Sequence, residues 1–365
     1  MATNPAKILR VARTCRDAAR HYRAPLPAVL ARVTRLKLIE KFRPKESFLW
    51  GIADPSKGRD TIGRYVSRGR LYRLQARHNP MSLTYLTEDK AVFYAYCQGA
   101  GLTVPTLHGV YHRQGGWVAG PRARRLAERR EWLDYLREEA PSPLVIKPSK
   151  GVYARGLQVL TRQPGGAQSG SAWRSAAGDL ESAEALLDAL DGDRDYESFV
   201  LQSKLVNDPA LLELSGSGAL QTVRVVTWVD SERVPRVLFA CFKVINSEHL
   251  SDNFDYGSSG NLLADVDLAT GRLRQVQGKH PSGFGLQELE AHPATGIRFS
   301  EVELPHWRET LELAEHAALA FMPLRTIGWD IGITAEGPSI VEGNVWWDAL
   351  HNAHQRMPRY LETFG

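Results

Sequence analysis

The sequence has few cysteines and no long apolar run. Its three cysteines, Cys15, Cys97 and Cys241, are odd in number and far apart, so they make neither a disulfide framework nor a CxxC pair. No stretch approaches the roughly 18 apolar residues of a transmembrane helix. The first ten residues also lack the apolar region of a secretory signal. We therefore expect a reduced, cytoplasmic protein.

Acidic residues are scarce in the first 80 positions. This segment holds 19 Lys and Arg against 5 Asp and Glu, whereas the remainder holds 27 against 36. Three interpretations stay open: the segment contacts an anionic membrane or a phosphorylated ligand, it is a solvated basic face, or it docks on the acidic remainder of the chain. A membrane partner would place the protein peripherally at a bilayer. A nucleic-acid partner is disfavoured, because the segment lacks the aromatic interleaving of single-strand binders.

Two common nucleotide-binding fingerprints are missing as well. The chain contains neither GxxxxGK[ST] nor GxGxxG, which excludes a P-loop and a Rossmann dinucleotide site. The length of 365 residues and the hydrophobic content of 43% support two or three folded domains.

The pattern of apolar and turn-forming residues predicts an α+β protein with mostly antiparallel strand pairing in its second half. Residues 163–173 are rich in Gly and Ser and predict a flexible surface loop. Helices are predicted over 5–42, 59–77, 87–99, 122–139, 180–190 and 311–321. Strands are predicted over 106–111, 143–148, 157–160, 199–202, 222–229, 237–244, 327–333 and 339–342.

A possible metal site lies near the end of the chain. Asp330 lies on a predicted strand, and Glu342 and Asn344 end the next one after a short turn. If the two strands pair, these oxygen ligands converge, and Mg²⁺ prefers such ligands while keeping phosphate oxygens in its shell. The alternative is a β-hairpin with exposed polar ends. Trp346 and Trp347 follow directly, and they would either line a substrate site or pack in the core.

Three further segments carry groups suited to anions. Lys147 ends a short strand before a glycine-bearing loop, 149–156, which would fold over phosphates or form an ordinary hairpin. Arg224 lies in the middle of an apolar strand, where its burial requires an anionic ligand or a structural ion pair. Lys243 on the next strand precedes a loop of small hydrogen-bonding residues, 251–261, which would wrap a substrate or a terminal phosphate.

Taken in order, these segments resemble the ATP-grasp superfamily, and most closely its sugar-transfer-associated branch. The resemblance spans about residues 81–350, and its most specific pieces are TVRVVTWVD (222–230), DNFDYGSSGNLLADVDLATGRL (252–273), HPATGIRF (292–299) and IGWDIGITAEGPSIVEGN (327–344). It implies an α+β ATP-grasp fold, in which two α+β subdomains grip ATP. The implied organisation is a basic helical region over 1–80, a small ATP-binding subdomain with the glycine loop within 81–205, and a large subdomain with the Mg²⁺ site over 206–365.

The resemblance also implies site residues, with ATP and Mg²⁺ as cofactors. The implied ATP-binding residues are Lys90, Lys147, Ser149, Lys150, Gly151, Gly156, Gln202, Ser203, Lys204 and Leu205, with Asn207 or Asp208 at the ribose. The implied substrate loop contains Asn253, Gly257, Ser258, Ser259, Gly260 and Asn261. Arg224 and Lys243 would stabilise the transferring phosphoryl group, and Asp330, Glu342 and Asn344 would bind Mg²⁺. The chain departs from many ATP-grasp enzymes at Gln202-Ser203-Lys204, where they carry an early acidic residue.

The reaction that the resemblance implies is the ADP-forming activation of a small-molecule carboxylate as an acyl phosphate, which an amine or other nucleophile then attacks. A kinase acting on a sugar or other hydroxyl would use the same residues. Phosphoryl transfer needs mainly positioning and charge neutralisation, which these cations would supply. We expect Asp330→Asn and Glu342→Gln each to abolish Mg²⁺-dependent turnover without unfolding the protein.

Overall fold

The computed structural model describes residues 5–151, 155–163, 172–246 and 251–348. Its helices are α1 (Pro5–His21), α2 (Leu26–Leu38), α3 (Pro44–Leu49), α4 (Arg59–Gly63), α5 (Arg68–His78), α6 (Tyr85–Glu88), α7 (Lys90–Gly99), α8 (Arg129–Asp134), α9 (Ala183–Gly192), α10 (Pro209–Ser215) and α11 (Trp307–Ala320). A π-helical turn, Tyr135–Glu139, continues α8.

The strands form two antiparallel sheets. They are β1 (Leu107–His112), β2 (Gly115–Val118), β3 (Arg124–Leu126), β4 (Leu144–Pro148), β5 (Gln158–Arg162), β6 (Ala172–Ser175), β7 (Leu180–Ser182), β8 (Ser198–Ser203), β9 (Thr222–Val229), β10 (Pro235–Val244), β11 (Leu262–Val266), β12 (Leu273–Lys279), β13 (Leu286–Leu289), β14 (Thr326–Thr334) and β15 (Gly337–Asn344). The first sheet has the order β3-β2-β1-β8-β4-β5-β6-β7, and the second β13-β12-β11-β10-β9-β14-β15. The predicted α+β class is confirmed.

The two faces of the second sheet have different partners. Val223 and Val225 of β9 and Ile331 of β14 point to one face, where they pack in a common core with Ala317 and other residues of α11. Because side chains alternate along a strand, Arg224 and Asp330 point to the opposite face. Helix α11 therefore closes one side of this sheet and leaves its polar side toward the rest of the molecule.

The basic N-terminal helices pack on that polar side, at its margins. Leu71 and Leu74 of α5 contact Val226 and Trp228 of β9. Leu49 at the end of α3 packs with Leu263 of β11 and its neighbours. Apolar residues of α3 and α5 thus attach this region to the second sheet, and the partner of its basic side chains stays a prediction.

The predicted helix over 122–139 is wrong in its first part. Arg124–Leu126 instead forms β3 against β2, and Glu128 begins α8 with a capping box that engages Glu131. The segment has helical propensity throughout, but the strand partner lies outside the local sequence window. Residues 180–182 likewise form β7 before α9, and the predicted single helix over 5–42 divides at 22–25 and ends at 38.

Several other features bear on the predictions. The predicted loop over 163–173 lies largely outside the described residues, although Ala172 already belongs to β6. Within the described part of the chain, no helix has the length and apolar character to cross a bilayer. The subdomain boundaries at 80 and 205 stay predictions.

Candidate functional site

A cavity of about 1210 Å³ opens between the two sheets and the N-terminal helices. It brings together residues that are as far apart in the sequence as Lys90 and Asn344. The predicted site residues that line it are Lys90, Lys147, Lys150, Gly151, Gln202, Lys204, Leu205, Arg224, Lys243, Asn253, Asp330, Glu342 and Asn344. Residues of the predicted phosphate and metal motifs, with Asn253 of the predicted substrate loop, therefore meet at one place.

Strand register places the predicted metal ligands next to one another. Asp330 of β14 pairs with Glu342 of β15, and Gly328 pairs with Asn344. The ladder is irregular between Asp330 and Ile331, where β15 carries one extra residue. On the other side of β14, Asp330 pairs with Arg224 of β9. The expected convergence of the strand ends is thus present, with Arg224 beside it.

Asp330 is held by two cations. Its Oδ1 accepts a hydrogen bond from Arg224 Nε at 2.5 Å, and its Oδ2 accepts one from the second Arg224 nitrogen at 2.8 Å. Lys243 Nζ lies 3.0 Å from the same Oδ2. Burial alone would raise the pKa of Asp330, but the charges of Arg224 and Lys243 outweigh it and lower the pKa to about 2. Arg224 therefore forms a structural ion pair, which was one of the two explanations offered for its burial.

Asp252 is a cavity residue that was not among the candidates predicted from the sequence, although its loop was. It is buried, lines the cavity, and accepts hydrogen bonds from the Thr222 amide at 2.8 Å and the Thr222 hydroxyl at 2.5 Å. Lys243 Nζ lies 3.7 Å away. Burial raises the pKa of Asp252 despite the attraction of Lys243. Its position at the start of the DNFDYG segment was the available signal.

Lys90 connects helix α7 to both the glycine loop and the metal motif. Its Nζ donates a hydrogen bond to the Gly151 carbonyl at 2.8 Å and lies 3.5 Å from Glu342 Oε1. Asp89 caps α7 and accepts a hydrogen bond from the Ser149 hydroxyl at 2.5 Å. Ser149 thus fixes the loop to the start of α7 rather than lining the cavity.

Lys147 is deeply buried beside aromatic and amide groups. Its Nζ donates to the Tyr94 hydroxyl at 2.6 Å and lies 4.9 Å from the centre of that ring. Burial and the neighbouring charge of Lys90 lower the pKa of Lys147 to about 7, with Glu342 acting in the opposite direction. Gln202 is 5% exposed, and its Oε1 has no hydrogen-bond partner among the described residues. A buried acceptor in a cavity wall suits a ligand with an N–H donor.

Nine of the predicted site residues do not line the cavity: Ser149, Gly156, Ser203, Asp208, Gly257, Ser258, Ser259, Gly260 and Asn261. Asp208 caps α10, and the alternative ribose candidate Asn207 is buried and bonded to Ala219. Asn261 bridges the 251–261 loop internally through the Ser251 and Asn253 carbonyls. Residues 152–154 of the glycine loop lie outside the described residues.

The N-terminal region supplies one wall of the cavity, which the sequence did not predict. Trp50 and Arg68 line it, and Arg68 forms an ion pair with Asp348. Trp346 also lines it and stacks on Tyr72 at 4.4 Å between ring centres. Trp347, by contrast, is buried and donates from its indole to Thr326 at 3.0 Å. Of the two adjacent tryptophans, Trp346 therefore lines the cavity and Trp347 packs in the core.

The donor set suits nucleotide phosphates and Mg²⁺. Glu342 and Asn344 on β15 carry hard oxygen ligands of the kind that Mg²⁺ takes. Asp330 beside them is a third, and in the unliganded protein both of its oxygens are held by Arg224 and Lys243. No group of three or more His, Cys, Asp or Glu with metal-ligand geometry occurs within residues 5–348 as described, so a metal here would depend on Asn344 or on ligand oxygens. The cations Lys90, Lys147, Arg224 and Lys243 surround the same space.

The chain is similar to several solved structures. One is D-alanine–D-alanine ligase from Helicobacter pylori, with 11% identity and a TM-score of 0.40 over 77% of this chain and 61% of that one. Another is N5-carboxyaminoimidazole synthase from Aspergillus clavatus, with 10% identity and a TM-score of 0.39 over 79% and 56%. A third is L-amino acid ligase from Bacillus licheniformis, with 12% identity and a TM-score of 0.37 over 72% and 41%.

The chain thus spans less than two thirds of the length of these structures. No curated protein sequence matches it. The profile of one family, described as sugar-transfer associated ATP-grasp, matches residues 70–353, which is most of the chain and contains every predicted site residue. The chain therefore belongs to the sugar-transfer associated ATP-grasp family.

Proposed function

We propose that the protein is an ATP- and Mg²⁺-dependent ligase that activates a substrate carboxylate as an acyl phosphate and transfers the acyl group to an amine or another nucleophile. The observation that carries this proposal is the convergence of Lys90, Lys147, Arg224 and Lys243 around Asp330 and Glu342 in one cavity. Such a site neutralises phosphate charge and needs no covalent nucleophile from the protein.

The cavity has room for more than a nucleotide. Single small-molecule sites commonly occupy about 300–1,000 Å³, and this cavity is larger, at about 1210 Å³. Lys147 and Gln202 lie on the first sheet, where ATP would bind. Arg68, Trp346 and Asp348 lie at the N-terminal wall, and we assign the carboxylate and its acceptor to that side.

The roles of the side chains follow from their charges. Lys90 and Lys147 would hold phosphate oxygens, and Arg224 and Lys243 would stabilise charge on the transferring phosphoryl group. Asp330, Glu342 and Asn344 would hold Mg²⁺, which supplies Lewis-acid polarisation of the phosphates when bound. The substrate carboxylate attacks the γ-phosphorus and the bond to ADP breaks. The nucleophile then attacks the carbonyl carbon and inorganic phosphate leaves.

Trapping tests the reaction class directly. The protein is incubated with ATP, Mg²⁺, a metabolite extract and hydroxylamine, and the products are analysed by mass spectrometry. ATP-dependent hydroxamates would support the ligase and reveal the acid by its mass. A phosphorylated metabolite without hydroxamate would instead support a kinase on the same fold. If neither product forms in extracts from several sources, both the ligase and the kinase proposals would be contradicted.

The unpaired acceptor of Gln202 gives a test of nucleotide binding. Gln202→Leu should weaken ATP binding by up to about tenfold, because one neutral hydrogen bond contributes that much at most. The unliganded protein should lose at most the roughly 0.5–1.5 kcal/mol of one neutral hydrogen bond, since Oε1 has no partner among the described residues and only the side-chain hydrogen bond with Tyr94 is removed. Titration calorimetry with Mg-ATP measures the affinity.

Gln277→Leu is the matched control for this substitution. Gln277 also carries an unpartnered Oε1 among the described residues, but it lies on β12 and does not line the cavity. Equal ATP affinity in the Gln202 variant, the control and the unmodified protein would contradict the assignment of Gln202 to the nucleotide.

A further inference from the structure

The helical hairpin α1–α2 leaves an apolar tip without a partner among the described residues. Cys15 and Ala18 of α1 share a core with Val29 and Val33 of α2, and only residues 22–25 connect the helices. The start of α1 and the end of α2 therefore lie at the same end of the hairpin. Ile8, Leu9, Leu38 and Ile39 at that end are 56–61% exposed.

Basic side chains surround this tip. Arg10, Arg13, Arg35 and Lys37 are exposed, and none forms an ion pair with a described residue. The nearest acid in the sequence, Glu40, is already paired with Arg70 at 2.8 Å. Asp17 lies toward the opposite end of α1, where it contacts Arg20. The tip thus combines exposed aliphatic groups with positive charge that the described structure does not neutralise.

We propose that the tip of the α1–α2 hairpin, formed by Ile8, Leu9, Leu38 and Ile39 with the flanking Arg10, Arg13, Arg35 and Lys37, docks on the surface of an anionic lipid bilayer. Interfacial membrane binding combines insertion of aliphatic side chains with attraction of Lys and Arg to acidic headgroups. Positive charge alone would serve a nucleic acid equally well. The four exposed aliphatic side chains favour a bilayer, because phosphate contacts do not require them.

The test uses the full chain and vesicles, and it needs no substrate. Co-sedimentation is measured with phosphatidylcholine vesicles and with vesicles containing about one third phosphatidylglycerol, at low and at physiological salt. The proposal predicts binding to the anionic vesicles that weakens with salt, and little binding to the neutral ones. Because no ATP or acyl substrate takes part, this result is independent of the proposed ligase activity.

Two groups of variants separate the apolar from the electrostatic contribution. Leu9→Ser, Leu38→Ser and Ile39→Ser combined should lower the affinity for anionic vesicles by about a thousandfold, since burying each such side chain contributes about tenfold or more. Arg10→Gln, Arg13→Gln, Arg35→Gln and Lys37→Gln combined should lower it by more than a hundredfold and remove most of the salt dependence.

Each group of variants has a control with the same number and kind of substitutions at exposed positions away from the tip. Leu180→Ser, Val234→Ser and Leu319→Ser combined remove three exposed aliphatic groups elsewhere. Arg122→Gln, Arg125→Gln, Arg130→Gln and Arg194→Gln combined remove four exposed charges. Both controls should bind like the unmodified chain, and circular dichroism should show all four variants folded.

Two outcomes would overturn the proposal. The first is a full chain that stays in the supernatant with anionic vesicles at low salt. The second is binding that the aliphatic variant leaves unchanged and an oligonucleotide competes away, which would assign the basic surface to nucleic acid.

Discussion

Asp330→Asn is expected to destabilise the unliganded protein by about 3–5 kcal/mol, because it leaves the buried Arg224 without its ion-pair partner. Among the described residues, it also leaves Lys243 with Asp252 alone, 3.7 Å away. Arg224 and Lys243 both contact the Asp330 carboxylate, and all three side chains are largely buried. An amide in its place keeps the shape but not the charge. The expectation from sequence, that this substitution spares the fold, therefore conflicts with the observed contacts, although loss of turnover remains expected.

Glu342→Gln is the matched comparison. Glu342 is also a predicted metal ligand, but its carboxylate is partly exposed and lies 3.5 Å from a single lysine. We expect this variant to lose Mg²⁺-dependent turnover while its stability changes by less than about 1 kcal/mol, as for a partly exposed ion pair. Urea denaturation of both unliganded variants measures the difference.

A second substitution tests whether the unpaired buried charge causes the loss of stability in Asp330→Asn. Adding Arg224→Met to Asp330→Asn removes the cation that has lost its ion-pair partner, so part of the lost stability should return. If Asp330→Asn and Glu342→Gln are equally stable, or if Arg224→Met only adds further destabilisation, the ion-pair account is wrong.

The sequence predicted four strands of the second sheet, β9, β10, β14 and β15, because these strands carry local signals, but it did not predict β11, β12 or β13. The alternation around Arg224 and Asp330 places polar groups on one face, and the structure confirms strands β9 and β14 there. The short turn at 335–336 also made the pairing of β14 with β15 predictable. Side-chain alternation and turn residues are signals that extend over only a few positions, and they were sufficient to predict these strands.

The contacts that complete the site join segments distant in sequence. Lys90 meets Glu342, and Arg68 meets Asp348 across 280 positions. No spacing rule specifies such contacts, because they depend on how α5 and α7 pack on the sheets. The family resemblance named Lys90 as a phosphate-binding residue, and the structure places Lys90 in the cavity wall. The resemblance contained no information on the N-terminal wall, because Trp50 and Arg68 precede the matched region.

For the 251–261 loop, the sequence instead predicted more site residues than the structure brings to the cavity. Its small polar residues predicted substrate contacts, yet Ser258 and Ser259 bond within the loop, to Asp255 and Phe254. Side chains of this type satisfy neighbouring backbone groups as readily as a ligand does. Only Asn253 of the six predicted residues lines the cavity, together with the unpredicted Asp252.

Lys147→Met is expected to stabilise the unliganded protein at neutral and acidic pH while abolishing most of its ATP binding. Burial and the charge of Lys90 lower the pKa of Lys147 from 10.5 to about 7, so the folded state disfavours the ammonium form. The apolar, similarly long methionine removes that cost, at the expense of a cation for the phosphates. The expected gain below pH 7 is a few kcal/mol, since each pH unit of lowered pKa corresponds to about 1.4 kcal/mol.

The pH dependence fixes the sign of this effect. Below pH 7 the lysine is protonated in both folded and unfolded chains, and the cost of burying the charge is fully present. Above pH 7 the folded protein releases the proton first, so the unfolded state binds more protons and stability rises with pH until about 10.5. The advantage of Lys147→Met should therefore shrink by about 1.4 kcal/mol per pH unit across this window.

Lys150→Met is the control, because Lys150 lines the same cavity but is largely exposed. Urea denaturation at several pH values between 6 and 9 should show converging curves for the unmodified protein and Lys147→Met, and parallel curves for Lys150→Met. Parallel curves for Lys147→Met, or a loss of stability at pH 6, would mean that the buried lysine carries no such penalty. Bound ATP should reverse the order of stability, because its phosphates favour the protonated Lys147 that the empty cavity disfavours.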